Sequence, residues 1–146
     1  MQTLIPITGE IQHMDNRLKK SVRLLAYGGL TWLIPFFAAV PFYNPEGVLL
    51  VDVFLFKSVM IVIGGIIGAA LLVLWFAGVQ SGHLREGVVT GGVWLAMNWA
   101  LDLLFLIPIS GMDLPTYFGQ IGLRYLLIPT MAIAIGYSIG RAAAGK

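Results

Sequence analysis

The sequence predicts an all-α, polytopic membrane protein, a four-transmembrane-helix bundle with short loops, and three observations predict it. The 146 residues contain four long apolar stretches, each of them long enough to cross a ~30 Å hydrocarbon core at about 1.5 Å per residue. Composition agrees: 58% of residues are hydrophobic, 11% are charged and the mean hydropathy is +0.88. Soluble domains carry roughly 25% charged residues, so a chain this poor in charge cannot clothe a water-facing surface, and its outside faces lipid. Finally, the stretches are continuous rather than alternating, which excludes a transmembrane barrel.

Residues 1–20, MQTLIPITGEIQHMDNRLKK, are expected to form a cytoplasmic N-terminal extension before the transmembrane domain of residues 21–146. The positive charges follow the apolar residues and no small-residue cleavage site comes after them, so this is not a secretory signal. Met14 opens a more ordinary start, and residues 1–13 read as a dispensable extension or as the product of a misassigned start codon. Span 1 is expected at 22–43 and is closed by the turn Asn44-Pro45-Glu46-Gly47. Span 2 covers 52–77, followed by a polar connection through Gly78, Gln80-Ser81-Gly82-His83 and Arg85-Glu86-Gly87. Span 3 covers 88–109 and ends in Ser110-Gly111-Met112-Asp113-Leu114-Pro115; span 4 covers 118–140. Pro35 and Pro129 lie inside spans 1 and 4, where each frees a backbone carbonyl and can kink its helix.

Orientation follows from the basic residues. Arg17, Lys19, Lys20, Arg23, Arg85, Arg141 and Lys146 fall on one side of a four-span chain, while the first and third loops hold only Glu46 and Asp113. The positive-inside rule then places a cell-membrane protein with both termini in the cytoplasm.

Several chemistries are excluded or disfavoured. The chain has no cysteine, which removes disulfides, thiolate nucleophiles, Cys-ligated zinc, iron–sulfur clusters and c-type haem attachment. Its two histidines, His13 and His83, lie outside the spans, so no span offers a haem ligand. Nucleic acid is not an expected partner, because no basic run is interleaved with aromatics. No cofactor and no metal is expected. Ser58 and Ser110 have no His partner in any span, and Asp102 is the one carboxylate deep in the membrane, so neither a hydrolase nor a metal-dependent phosphotransferase is indicated.

The candidate site is an intramembrane polar cluster of Lys57, Asn98, Asp102, Gln120 and Arg124. A charge at a helix centre costs about 2.5–3.5 kcal/mol on insertion scales, so such residues pair, snorkel or serve a purpose. Lys57, Asp102 and Arg124 sit at ~8–10 Å from the outer ends of their spans. At 100° per residue Gly91, Trp94, Asn98, Asp102 and Phe105 form one stripe of span 3, with Val89, Val93, Ala96, Ala100, Leu103 and Ile107 on the lipid side. Tyr117, Gln120, Arg124, Met131 and Ser138 line up in span 4, Tyr27 and Thr31 in span 1, and Lys57 stands over Gly64 and Gly68 in span 2. That glycine pair is expected to let helices approach closely. Asp102 is expected within hydrogen-bonding reach of Lys57 or Arg124, directly or through one water, with Asn98 in the same network.

Two functions fit. One is a non-enzymatic membrane protein whose cluster is architectural, within a homo-oligomer or as a subunit of a membrane complex, with the lipid bilayer as its surroundings. The other is a small transporter or channel component that binds a small polar or anionic solute at the cluster. A transporter should have a water-filled cavity reaching the cluster; a structural network should be dry and paired.

Met97-Asn98-Trp99-Ala100-Leu101-Asp102, with Thr116-Tyr117-Phe118, Ile121 to Pro129 and Phe56-Lys57-Ser58, is similar to a pattern in small hypothetical four-span prokaryotic membrane proteins. The resemblance covers all four spans, implies the four-helix fold and names no activity. Small multidrug transporters also have four spans but centre on a Glu in span 1, where this chain has no carboxylate.

Overall fold

The computed structural model describes the backbone of residues 5–145 and the side chains of residues 11–145. The part of the expected N-terminal extension before Ile5 lies outside the described residues. From Ile5 the chain runs as one helix, α1 (Ile5–Ala39), through the expected boundary at residue 20 without a break, and ends in a 3-10 turn over Val40–Phe42. Every described residue from Ile11 to Val22 is exposed.

The first loop folds back on itself. Asn44 Oδ1 accepts from the Val48 N–H at 2.8 Å, Gly47 takes a left-handed φ of 78°, and a single bridge joins Tyr43 to Leu49. Asp52 then caps α2 (Val53–Phe76), its carboxylate accepting from the N–H groups of Phe54 and Leu55 at 2.9 and 3.1 Å. Such a cap satisfies donors that the first helical turn leaves free.

The second connection is shorter than expected, because α3 (His83–Leu101) begins five residues before the expected span. It continues through one widened π turn, Asp102–Leu106, into α4 (Ile107–Ser110). Pro108 accounts for the widening. It has no N–H, and its ring would meet the carbonyl four residues back, so the ladder opens to an i→i−5 bond from the Ile107 N–H to the Asp102 carbonyl.

The fourth span is broken, where a continuous helix over 118–140 was expected. Asp113 caps a short α5 (Leu114–Gln120), and hydrogen bonding from Thr116 holds its carboxyl below the usual value. At Ile121 (φ −129°, ψ −56°) the helix stops, a 3-10 segment follows over Gly122–Leu126, and α6 (Leu127–Ala144) begins. Pro129 lacks the N–H that would bond the Tyr125 carbonyl, so one ladder bond is missing where the 3-10 segment meets α6, whereas Pro35 lies inside α1 and that helix continues. Four helical runs, Ile11–Phe42, Val53–Phe76, His83–Ser110 and Gly122–Ala144, are long and apolar enough to cross a membrane.

The closest packing joins α3 to α6 through glycines. A Cβ on Gly91 would come within 2.6 Å of the Pro129 Cα, and one on Gly87 or Gly136 would strike the backbone oxygen of Ala132 or His83. Gly68 meets Met131, but Gly64 has open space around it, so the close approach expected at Gly64 does not occur. The apolar core of Leu71, Leu72, Trp75, Phe76, Trp94, Ile128 and Ala132 lies towards the end of the bundle that carries both chain termini, hereafter the termini end. Between Val53 and Ile67, towards the far end, α2 has no buried residue.

Candidate functional site

Asp102 occupies the first position of the π turn and is 1% exposed. Its two oxygens each accept a hydrogen bond from a neutral side chain on a different element. The Trp32 indole N–H of α1 donates to Oδ1 at 2.7 Å, and the Tyr117 hydroxyl of α5 donates to Oδ2 at 2.9 Å. An aromatic wall surrounds the group. Trp32 stacks on Phe36 with ring centroids 4.7 Å apart and leans on Phe105 at 5.9 Å, while Tyr117 meets Phe118 edge-on at 5.0 Å.

One turn towards the termini end, the buried Asn98 amide donates from Nδ2 to the Thr31 hydroxyl and to the Trp94 carbonyl, both at 2.8 Å. The Thr31 hydroxyl in turn donates to the Gly28 carbonyl at 2.6 Å. Trp94 donates to the Leu24 carbonyl at 2.9 Å, and Gly28 leaves room for that indole, since a Cβ there would lie 2.7 Å from Trp94 Cδ1. Further round α3, Trp99 donates to the Gly122 carbonyl at 2.9 Å, at the break in the fourth span. Irregular backbone at membrane depth is tolerated where protein satisfies it, and here an indole does so. Asn98 Oδ1 is buried without a donor among the described residues.

The expected cluster therefore divides. Asn98 and Asp102 are both buried, one turn apart, but in separate hydrogen-bonded groups: Asn98 with Thr31 and the Trp94 carbonyl, Asp102 with Trp32 and Tyr117, so the network expected to hold both is not formed among the described residues. Lys57 and Gln120 form a third group nearer the far end, with Nζ donating to Oε1 at 3.3 Å in an exposed setting. Arg124 is half-buried and has no hydrogen-bond acceptor among the described residues. Of the contact expected between Asp102 and Lys57 or Arg124, directly or through one water, the direct form is not made: the ion pairs among the described residues are Lys19–Asp15 and Lys20–Glu86. The helix breaks explain this. Arg124 falls in the 3-10 segment after Ile121, so it does not continue the face that carries Tyr117, and Tyr117 takes the place beside the carboxylate. Lys57 stands on the uncovered half of α2, a helix that packs on α1 and α6 rather than on α3.

Trp32 was missed as a partner, although a signal existed: an indole N–H at mid-span needs an acceptor in lipid. Two hollows among the described residues are lined without the Asp102 carboxylate. One lies at the termini end beside Lys19, Lys20 and Arg23; the other is an apolar groove of about 510 Å³ between α1 and α3, bounded by Leu25, Gly29, Leu33, Leu101 and Phe105 and walled off from Asp102 by the Trp32 ring. Among the described residues no three His, Asp or Glu side chains come together as metal ligands would. Comparison with protein-family models, with curated proteins and with solved structures finds no match for this chain, so the chemistry of the site rests on its geometry alone.

Proposed function

We propose that the chain is a non-enzymatic integral membrane protein, with both termini on the cytoplasmic side, in which the Asp102 network is architectural. One observation carries the reading: a fully buried carboxylate whose two oxygens are each taken by a neutral donor from another element. This arrangement ties α1, α3 and α5 to one point and leaves no oxygen facing a cavity. The hydroxyls that a hydrolase would recruit are turned inward on their own helices, Ser58 to the Phe54 carbonyl at 2.8 Å and Ser110 to the Ile107 carbonyl at 3.4 Å.

A second reading, a solute site, is favoured by one feature only. Lys57 and Arg124 stand towards the far end with no carboxylate bonded to either among the described residues, which suits a small anion. Thermal unfolding of the purified chain with a panel of small anions and polar metabolites separates the two readings. A solute at about 100 times its Kd adds about 2.7 kcal/mol, a rise of roughly 5–10 °C for a chain of this size. The architectural reading expects no such rise for any member of the panel. A rise that disappears in Arg124→Gln while the unliganded Tm is kept would overturn it in favour of transport or solute binding.

A further inference from the structure

At the termini end, a hollow of about 400 Å³ is lined by Lys19, Lys20, Arg23 and Trp75 with the connection from Gly78 to Ser81. It holds three cations and no carboxylate. Asp15 and Glu86 engage Lys19 and Lys20 at 2.6 and 2.9 Å, but from outside the lining. Among the described residues Arg23 bonds a neutral partner, the Leu74 carbonyl, and no carboxylate. The Lys20 and Arg23 cations stand 6.0 and 5.7 Å from the centre of the Trp75 ring, and that indole, 3% exposed, has an N–H without an acceptor among the described residues. The Gln80 amide and Ser81 hydroxyl add further donors.

We infer that this hollow seats the phosphate of an anionic phospholipid. The chemistry asks for an anion with several acceptor oxygens, because the lining offers ammonium, guanidinium, amide and hydroxyl donors at one place. The position asks for a lipid. The hollow opens where the apolar run of α2 ends, and Val73 and Leu74, directly before Trp75, are 61% and 52% exposed. A headgroup held at Arg23 would therefore lie at the polar boundary with its acyl chains alongside an apolar surface that already faces outward. Basic pockets between helices at this level bind anionic headgroups in membrane proteins generally.

The test uses the full chain in detergent micelles doped with phosphatidylglycerol or phosphatidylcholine, with retained lipid counted by native mass spectrometry. The wild type should retain phosphatidylglycerol in preference to phosphatidylcholine. Gln80→Glu puts a negative charge in the hollow while leaving the Arg23–Leu74 contact in place. It should weaken phosphatidylglycerol retention about fivefold per charge, with an unchanged Tm in phosphatidylcholine. Val48→Glu adds the same charge at an exposed site in the first loop and should retain the lipid as the wild type does. Equal retention of the two lipids by the wild type, or equal losses in Gln80→Glu and Val48→Glu, would overturn the proposal. So would millimolar inorganic phosphate that displaces the lipid completely, because the hollow would then be a free-anion site.

Discussion

Three tryptophans lie where their indole N–H groups are shielded from water, and each finds an oxygen: Trp32 on Asp102, Trp94 on Leu24, Trp99 on Gly122. At the residue scale this explains how a carboxylate persists at membrane depth without a cation. Its two oxygens are met by two neutral donors held by packed rings, and each donor would be left unpaired without it. Asp102→Ala should therefore strand the Trp32 N–H and the Tyr117 hydroxyl together, at about 1–3 kcal/mol apiece. Asp102→Asn should be milder, at about 1–2 kcal/mol. Its remaining oxygen still accepts from Trp32, and the Tyr117 hydroxyl can rotate to accept from the new amide. Denaturation of Asp102→Ala, Tyr117→Phe and the double variant gives the coupling, because each single change removes the hydrogen bond. Additive losses would mean that the hydrogen bond contributes nothing. In the same measurement Lys57→Gln should be nearly neutral, since Lys57 bonds only the exposed Gln120; a loss as large as that of Asp102→Ala would restore the ion pair that the sequence suggested.

At the scale of elements, α3 and α6 are joined by Gly87 and Gly91 on one side and by Ala132 and Gly136 on the other, two small residues spaced by four on each helix. Close backbone approach of this kind drives association in lipid, where apolar side chains gain nothing over acyl chains. Gly91→Leu should lower stability by at least 1–3 kcal/mol, the usual range for overpacking, because the first added atom already meets backbone at Pro129. Gly64→Leu, with nothing near it, should leave the Tm in detergent within error. Equal effects would show that α2 packs where the structure leaves it open. The sequence concealed the true pair for a physical reason: the first turn of α3 contains Arg85 and Glu86, and a polar first turn at the membrane boundary reads as loop. Periodicity was legible wherever the helix is regular. Gly91, Trp94, Asn98 and Asp102 are all buried as one 3.6-residue stripe, but Phe105 is 50% exposed because the π turn inserts an extra residue after Asp102. The stripe drawn through span 4 fails at Ile121 for the same kind of reason: Gln120 and Ser138 are exposed, and Ile128, Ala132 and Gly136 take the inside. Pro108 and Pro129 stand near the two departures while Pro35 lies inside an unbroken α1, so a proline alone specifies neither a break nor its geometry.

For the whole molecule, charge asymmetry and connectivity give one arrangement. The Lys20–Glu86 pair fixes the start of the first span and the start of the third at the same end, and Arg17, Lys19, Arg23, Arg85 and Arg141 belong to that end as well. The two loops at the far end contain Asn44 to Leu50 and Gly111 to Asp113, with no lysine or arginine in either. Translocation of a short loop is opposed by Lys and Arg and little affected by Glu or Asp, so the far-end loops are the ones that should cross the membrane. The absence of cysteine makes the test clean, because every label reports the introduced thiol. Glu46→Cys and Met112→Cys in intact cells should react with an impermeant maleimide, while Ser81→Cys should react only after permeabilisation. Asp113 is avoided because it caps α5, and His83 because its backbone packs against Gly136. Labelling of Ser81→Cys with protection of Glu46→Cys would invert the molecule and place the hollow around Arg23 in the opposite leaflet. Labelling of both in intact cells would contradict a four-span crossing, since an exposed termini end and an exposed far end cannot share one side of a bilayer that the four helices traverse.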